Sequence, residues 1–295
     1  MKKISKAYIF TSLTILFWAG AATAFKIALQ YLSPYQLLFY SVAVSCISLL
    51  IILLFQKKLK ILFRLPRVFL FKSALLGLLN PFLFYVILFK AYDLLPGQMA
   101  MALNFGWPIT LAVLSVPVLK QKMSKRQLLA IFISFIGAVI IATKGAIISF
   151  SDINQFGVML ALVSTFIWAT YWLINTKDTF DPVLRLFSSF CFGLLYTLLA
   201  SPLLGALTLP EPAAWLPILY VGVFEMGVTF VLWISALKIA PSTARISNFI
   251  YLTPFLSLLV LNVIINEQIF PSTFLGLLLI VSSILFQEIY KTRKT

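Results

Sequence analysis

The chain has no histidine and only two cysteines among its 295 residues, and its 8 acidic residues are far outnumbered by 23 basic ones. Without histidine or clustered cysteines it offers neither a zinc site nor a histidine-based catalytic triad, which removes support from most enzyme readings. Cys46 and Cys191 both fall inside apolar runs, where cysteine serves as a small hydrophobe, so no disulfide framework is implied. No nucleotide-binding motif points to ATP use, and no cofactor or metal is expected. Charged residues make up only 11% of the chain, against 62% hydrophobic ones. A soluble domain is about half apolar, so this composition is that of an integral membrane protein.

What is present is a series of apolar runs of roughly 20 residues, the length at which a helix crosses a ~30 Å hydrocarbon core. Barrel strands would be half as long and alternating. The runs predict ten spans, over residues 8–30, 35–55, 73–95, 98–119, 127–143, 156–175, 183–204, 216–237, 246–265 and 273–290. The first, led by Lys2, Lys3 and Lys6 and containing Ala22-Thr23-Ala24, also matches a cleavable signal, but its apolar pattern continues past the cut. Spans three and four are joined at Pro96-Gly97 and should be antiparallel neighbours. Pro108 removes a backbone donor within span four and should bend it. The mixed segment 145–155 is the expected linker between halves 1–144 and 156–295, which together make one transmembrane domain.

A net charge of +15 would suit a nucleic-acid partner, so the placement of the basic residues decides. With the N-terminus inside, 20 of the 23 lie at the two termini and in loops two-three, four-five, six-seven and eight-nine. Only Lys26, Lys90 and Lys144 fall elsewhere, near outer helix ends. This positive-inside distribution puts both termini in the cytoplasm and makes nucleic acid an unnecessary explanation.

The halves repeat one another. Trp18 corresponds to Trp168, Ser33-Pro34 to Asp181-Pro182 and Gly77 to Gly222, which sets Asn80 opposite Glu225 and Pro96 opposite Pro241. Pro108 falls on Pro254, and Asn104-Phe105 resembles Asn248-Phe249. Five is an odd number of spans, so the second repeat must cross in the opposite sense; such inverted repeats mark secondary transporters, with sites near the midplane at the repeat interface. The expected fold is an all-α membrane protein of ten transmembrane helices arranged as two inverted five-helix repeats. Removing span one would leave span six without its counterpart, a second reason against signal cleavage.

Glu225 lies near the centre of the eighth run. Ionised and facing lipid it would cost on the order of 3 kcal/mol or more, so it must meet a cavity or a partner. It is either part of a substrate or proton site or a structural acid bonded to a neighbouring helix. Glu225, Thr229 and Trp233 recur every four residues and share a helix face. Trp168, Tyr171, Trp172 and Asn175 follow similar spacing on span six, a stripe that either lines a cavity or packs helices together. Asn80, Asn104 and Asn248 are mid-span polar groups that can bind substrate or hydrogen-bond across helices. Trp107, next to Pro108, is either a gate near freed carbonyls or part of a packed kink. Trp18, the repeat partner of Trp168, completes the candidates. Lys26 could pair with Glu225, though its depth near the outer end suits a solvated lysine.

On the Phe17-Trp18 and Ile167-Trp168 pairs, the Pro34 and Pro182 starts, the Pro108 and Pro254 helices and Gly137, the whole chain resembles the drug/metabolite transporter superfamily, specifically its EamA-type ten-helix members. The Asn104 to Pro108 stretch is similar to the corresponding stretch of the aromatic amino-acid exporter branch. Members often carry a Gly-Glu pair after the fourth helix of each repeat; here Lys120-Gln121 and Asn266-Glu267 stand there, and the first departs from the pattern. The position then reads as a loop or helix-capping feature. The resemblance implies an inner-membrane carrier of small metabolites with a central cavity lined by helices one, three, four, six, eight and nine. The expected function is a secondary exporter of small metabolites such as amino acids, working by alternating access, with Glu225 the candidate for proton coupling. An intramembrane enzyme or lipid-processing subunit using Glu225 as general acid or base is the alternative, though no second catalytic group accompanies it. A non-transporting membrane sensor is a third reading.

Overall fold

The computed structural model describes residues 3–95, 103–143, 145, 154–205, 207–265 and 270–292. Among them all regular structure is helical. The principal helices are α1 (Lys3–Ala28), α2 (Pro34–Phe55), α3 (Arg67–Gly77), α4 (Phe84–Leu94), α5 (Trp107–Leu119), α6 (Lys125–Ala142) and α7 (Gln155–Lys177). They continue with α8 (Pro182–Leu199), α9 (Trp215–Tyr220), α10 (Val228–Ile239), α11 (Thr243–Phe249), α12 (Leu252–Ile265) and α13 (Pro271–Thr292). Seven helical stretches are long and apolar enough to cross a membrane; α5, α6 and α13 bring these to the ten expected spans. Pro96-Gly97, Asn266-Glu267 and most of 145–155 lie outside the described residues.

The repeated polar-Pro pairs are helix starts. Ser33 accepts from the Gln36 N–H at 3.2 Å in a reciprocal capping box, and Asp181 accepts from the Val183 and Leu184 N–H groups at 3.0 and 3.1 Å. In each case proline occupies the first helical position, where its missing donor costs nothing.

Four spans are interrupted, in matching places. Span three is α3 and α4 joined by a wide π-type turn, Leu78–Leu83, in which Asn80 leaves helical geometry (φ −151°, ψ 125°). Span eight is α9 and α10 joined by a second such turn, Val221–Glu225, ending at Gly227 (φ −87°, ψ −91°). The two residues that the repeat sets opposite each other, Asn80 and Glu225, therefore both sit at breaks. Span four breaks in a turn at 105–106 just ahead of α5, and span nine at 250–251 between α11 and α12.

Three expectations are corrected by the structure. Pro108 does not bend a continuous helix: it lies in the first turn of α5, as Pro254 does in α12, because a residue without an N–H is tolerated only where no partner is needed. Glu225, Thr229 and Trp233 do not share an unbroken helix face, since Met226-Gly227 separates the first from the others. Span three starts earlier than its apolar run, at Arg67, so Arg67 and Lys72 belong to a helix and not to the loop before it.

Packing exchanges partners between the halves. α1 packs on α10 and α12, spans eight and nine of the second repeat, whereas its counterpart α7 packs on α4 and α5, spans three and four of the first. The core thus forms where both repeats meet. Spans five and ten make a separate pair: a Cβ on Gly276 of α13 would stand 2.5 Å from the Gly137 carbonyl oxygen of α6, and one on Gly137 2.6 Å from that of Gly276. The hydroxyls of Ser134 and Ser283 bond across the same contact.

Candidate functional site

The wide turn of span eight brings Glu225 into the core, where it is 6% exposed. Tyr85 of α4, from the other repeat, donates its hydroxyl hydrogen to Glu225 Oε1 at 2.6 Å, while Oε2 has no partner. The break also frees the Glu225 backbone carbonyl, which accepts from Trp18 Nε1 at 3.3 Å.

Around this acid the core is aromatic. Trp18, Trp107, Trp168 and Trp233 arrive from spans one, four, six and eight, with ring centroids 5.7–6.1 Å apart in the contacting pairs. The repeat partners Trp18 and Trp168 face each other at 6.1 Å. Trp172 extends the cluster from Trp168 at 5.6 Å, and Phe230 seats against both. The indole N–H groups of Trp168, Trp172 and Trp233 are buried without acceptors.

Seven of the expected site residues form one contiguous chain of contacts in this core: Glu225, the five tryptophans Trp18, Trp107, Trp168, Trp172 and Trp233, and Tyr171, stacked edge-on against Trp172 at 5.0 Å. Asn80 is fully buried beside the Tyr171 hydroxyl. The other three serve elsewhere. Thr229 donates its hydroxyl to the Phe224 carbonyl, closing the break in its own span. Asn104 donates to Ser164 Oγ at 3.1 Å, joining spans four and six. Asn248 is buried in α11, whose main neighbours are α5 and α6. The side chain of Lys26 lies outside the described residues.

Sequence reasoning missed Tyr85, whose only sign was a hydroxyl in an otherwise apolar stretch. It also missed a second polar cluster at the end of the bundle that carries the basic loops. Arg185, 1% exposed, gives Nε to the Asp178 carboxylate and Nη1 to the Phe69 carbonyl and Ser73 Oγ, each of the latter at 2.7 Å. Its guanidinium lies 3.7 Å from the centroid of the Phe69 ring. Lys238 Nζ donates to the Asp178 and Phe180 carbonyls at 2.6 and 3.3 Å, and Lys58 pairs with Asp181 at 2.5 Å. The segment 178–181 thus clasps α3 and the Lys58 loop of the first repeat and α10 of the second. Beside it opens a cleft of about 480 Å³ lined by Lys120, Gln121, Thr176, Lys177, Leu237 and Lys238 among others. Gln121 accepts the Thr243 N–H at 3.0 Å, a capping contact at the start of α11.

Ten spans in two inverted halves, broken opposite each other with polar groups at the breaks, define a membrane transporter. The EamA-like transporter family matches residues 5–143 and 155–287, and the chain belongs to that family. An uncharacterized transporter of Archaeoglobus fulgidus is 27% identical over 90% of this chain and 91% of its own. The uncharacterized transporter YvbV of Bacillus subtilis is 24% identical over 70% and 68%, and protein PecM of Dickeya dadantii 25% identical over 76% and 75%. A crystal structure of a protein 19% identical covers 98% of this chain and 99% of that one with a TM-score of 0.85, which shows the same fold. The relatives' names give the intramembrane-enzyme alternative no support.

Proposed function

We propose that the protein is a secondary exporter of small amphipathic metabolites such as amino acids, working across the inner membrane with both termini in the cytoplasm. The halves 1–144 and 156–295, joined by 145–155, rock against each other around a site at their shared core. Glu225 exchanges a proton or meets a cationic amine, the five clustered tryptophans and Tyr171 hold the apolar part of the substrate, and Asn80 supplies a polar contact. Asn104, Thr229 and Asn248 support the site's walls through the spans they belong to.

The observation that carries this reading is the carboxyl of Glu225. It is buried at a break in its span, bonded through one oxygen to the opposite repeat, and its other oxygen is left for a proton or a ligand. Buried intramembrane acids of this kind mark substrate and proton pathways. The cluster at 178–181 suits a gate, because it joins both repeats at one end of the bundle.

Flux into proteoliposomes across a panel of amino acids and other small metabolites, with and without a pH gradient, tests the proposal. Wild-type flux should respond to the gradient and Glu225→Gln should lose that response. A Gln variant with wild-type rates and unchanged pH dependence would remove Glu225 from the mechanism.

A further inference from the structure

The cleft beside the 178–181 clasp, about 480 Å³ in volume, is of a size that takes a small metabolite, and it lies between the ends of spans four, six and eight. Those spans also carry Trp107, Trp172 and Trp233 of the core. The cleft is continuous with that core. Leu237 of its floor is 2% exposed and stands one turn beyond Trp233, while Thr176, one turn beyond Trp172, donates its hydroxyl to the Trp172 carbonyl at 2.7 Å. Val118, Leu119 and Ala240 pack on the same buried cluster. Span four belongs to the first repeat and spans six and eight to the second, so the cleft sits on the seam between the halves that must move.

Its charges are of one sign. Lys120, Lys177 and Lys238 come from three different helices, and among the described residues no acidic side chain lines the cleft and none of the three is ion-paired. The carboxylates closest in the chain are engaged elsewhere, Asp178 with Arg185 and Asp181 with Lys58. Lys238 donates to the neutral carbonyls of Asp178 and Phe180, which hold its charge in place without cancelling it. Lysines at helix carboxyl ends ordinarily complement the helix dipole, and α5, α7 and α10 do all end here. Each such end carries only about half a negative charge against the full positive charge of each lysine, so a positive excess remains. Gln121 adds a neutral donor, because its Oε1 accepts the Thr243 N–H and its amide NH2 is left for another partner.

We infer that this cleft is the loading site of the carrier at its basic end and that it selects substrates of net negative charge, so that the cargo is a small organic anion carrying a carboxylate or phosphate. The inference rests on the carrier reading above and deepens it by narrowing the class of metabolite. Lysine is a compact point charge with rotatable donors, so the cleft selects charge and leaves the shape of the anion to the aromatic core one turn further in. An amine on the substrate meets three lysines and is disfavoured there, and Glu225 is then left for the proton.

Charged thiol reagents read the cleft without a known substrate. Ala240→Cys, with Cys46 and Cys191 replaced by serine, is held in phosphatidylcholine nanodiscs and labelled with the anionic sulfonatoethyl and the cationic trimethylammonioethyl methanethiosulfonates. The ratio of anionic to cationic rates should stand about 10-fold above that for mercaptoethanol, the effect of roughly one and a half charges at ~8 Å in water. Replacing Lys120 and Lys177 together by glutamine should bring it to within about 2-fold of the free thiol. A wild-type ratio less than about 2-fold above the free thiol overturns the anion site. In proteoliposomes the probes are N-acetylphenylalanine, succinate and glycerol phosphate, set against phenylalanine and phenylalaninamide. The double lysine variant should raise the KM of each transported anion at least ~5-fold with kcat within about 2-fold, and salt should raise the wild-type KM in the same way. An unchanged KM, or phenylalaninamide moving faster than every anion, overturns the loading site and leaves the carrier reading intact. If no probe moves in protein with a wild-type unfolding midpoint, the carrier reading falls, and the labelling ratio still decides whether the cleft holds anions. Adding about 20% phosphatidylglycerol separates a lipid headgroup from a soluble anion: a ratio that collapses with this lipid while KM is unmoved assigns the cleft to lipid and overturns the inference.

Discussion

Replacing Tyr85 by phenylalanine removes a single oxygen from the core. The ring stays, packed against Phe84 at 4.8 Å, so no cavity opens and the 2.6 Å bond with Glu225 Oε1 is lost. Because Oε2 already lacks a partner, the carboxyl group of Glu225 would be left without a side-chain hydrogen bond. A buried bond of this kind contributes about 1.5–3 kcal/mol. At about 2–4 °C per kcal/mol for a large chain, the apparent unfolding midpoint should fall by about 3 °C or more. The measurement is thermal unfolding in detergent at one fixed scan rate, since unfolding of a membrane protein is scored as a rate. A double-mutant cycle with Glu225→Leu, which cannot accept a hydrogen bond, isolates the pair. If Tyr85→Phe shifts the midpoint by less than about 1 °C, or lowers it as much in the Glu225→Leu background as in wild type, the bond does not hold the repeats together as described.

Three further expectations follow from the packing and the clasp. Gly276→Val would drive a branched side chain into the Gly137 carbonyl and should cost about 1–3 kcal/mol, read as a lower unfolding midpoint; an unchanged midpoint would show that α6 and α13 can part freely. Asp181→Ala removes the N-cap of α8 and should cost about 1 kcal/mol, whereas Asp181→Asn keeps the cap and loses only a half-exposed ion pair, so the two should rank in that order in thermal unfolding. In a background with Cys46 and Cys191 replaced by serine, an impermeant thiol reagent added to intact spheroplasts should label Leu209→Cys and spare Lys57→Cys; the reverse pattern would overturn the proposed sidedness.

The repeat relation between Asn80 and Glu225 was legible in the chain because glycine and proline signatures survive at fixed offsets, and the structure places both residues at breaks. The aromatic cluster was legible only as stripes. That Trp18 meets Trp168, or that Trp107 meets Trp233, depends on how spans cross, which three-or-four spacing does not state. Thr229 shows the limit of the helix-face reading: its spacing from Glu225 was right for a regular helix, and the wide turn at Val221–Glu225 displaced that face. Arg185 counted in the sequence only as one more basic residue near a span's end. Its burial against Asp178, Ser73 and Phe69 is what separates it from the solvated lysines.

Composition and run length by themselves determined that this is a helical membrane protein, and the spacing of its prolines and tryptophans determined that it repeats. Those properties are local, summed along the chain, because the cost of placing a segment in hydrocarbon is set residue by residue. Tertiary structure alone decided which polar groups share the core. The bond from Tyr85 to Glu225 spans 140 residues of sequence and that from Arg185 to Ser73 spans 112, and each exists only because the fold brings spans from opposite repeats within reach of each other.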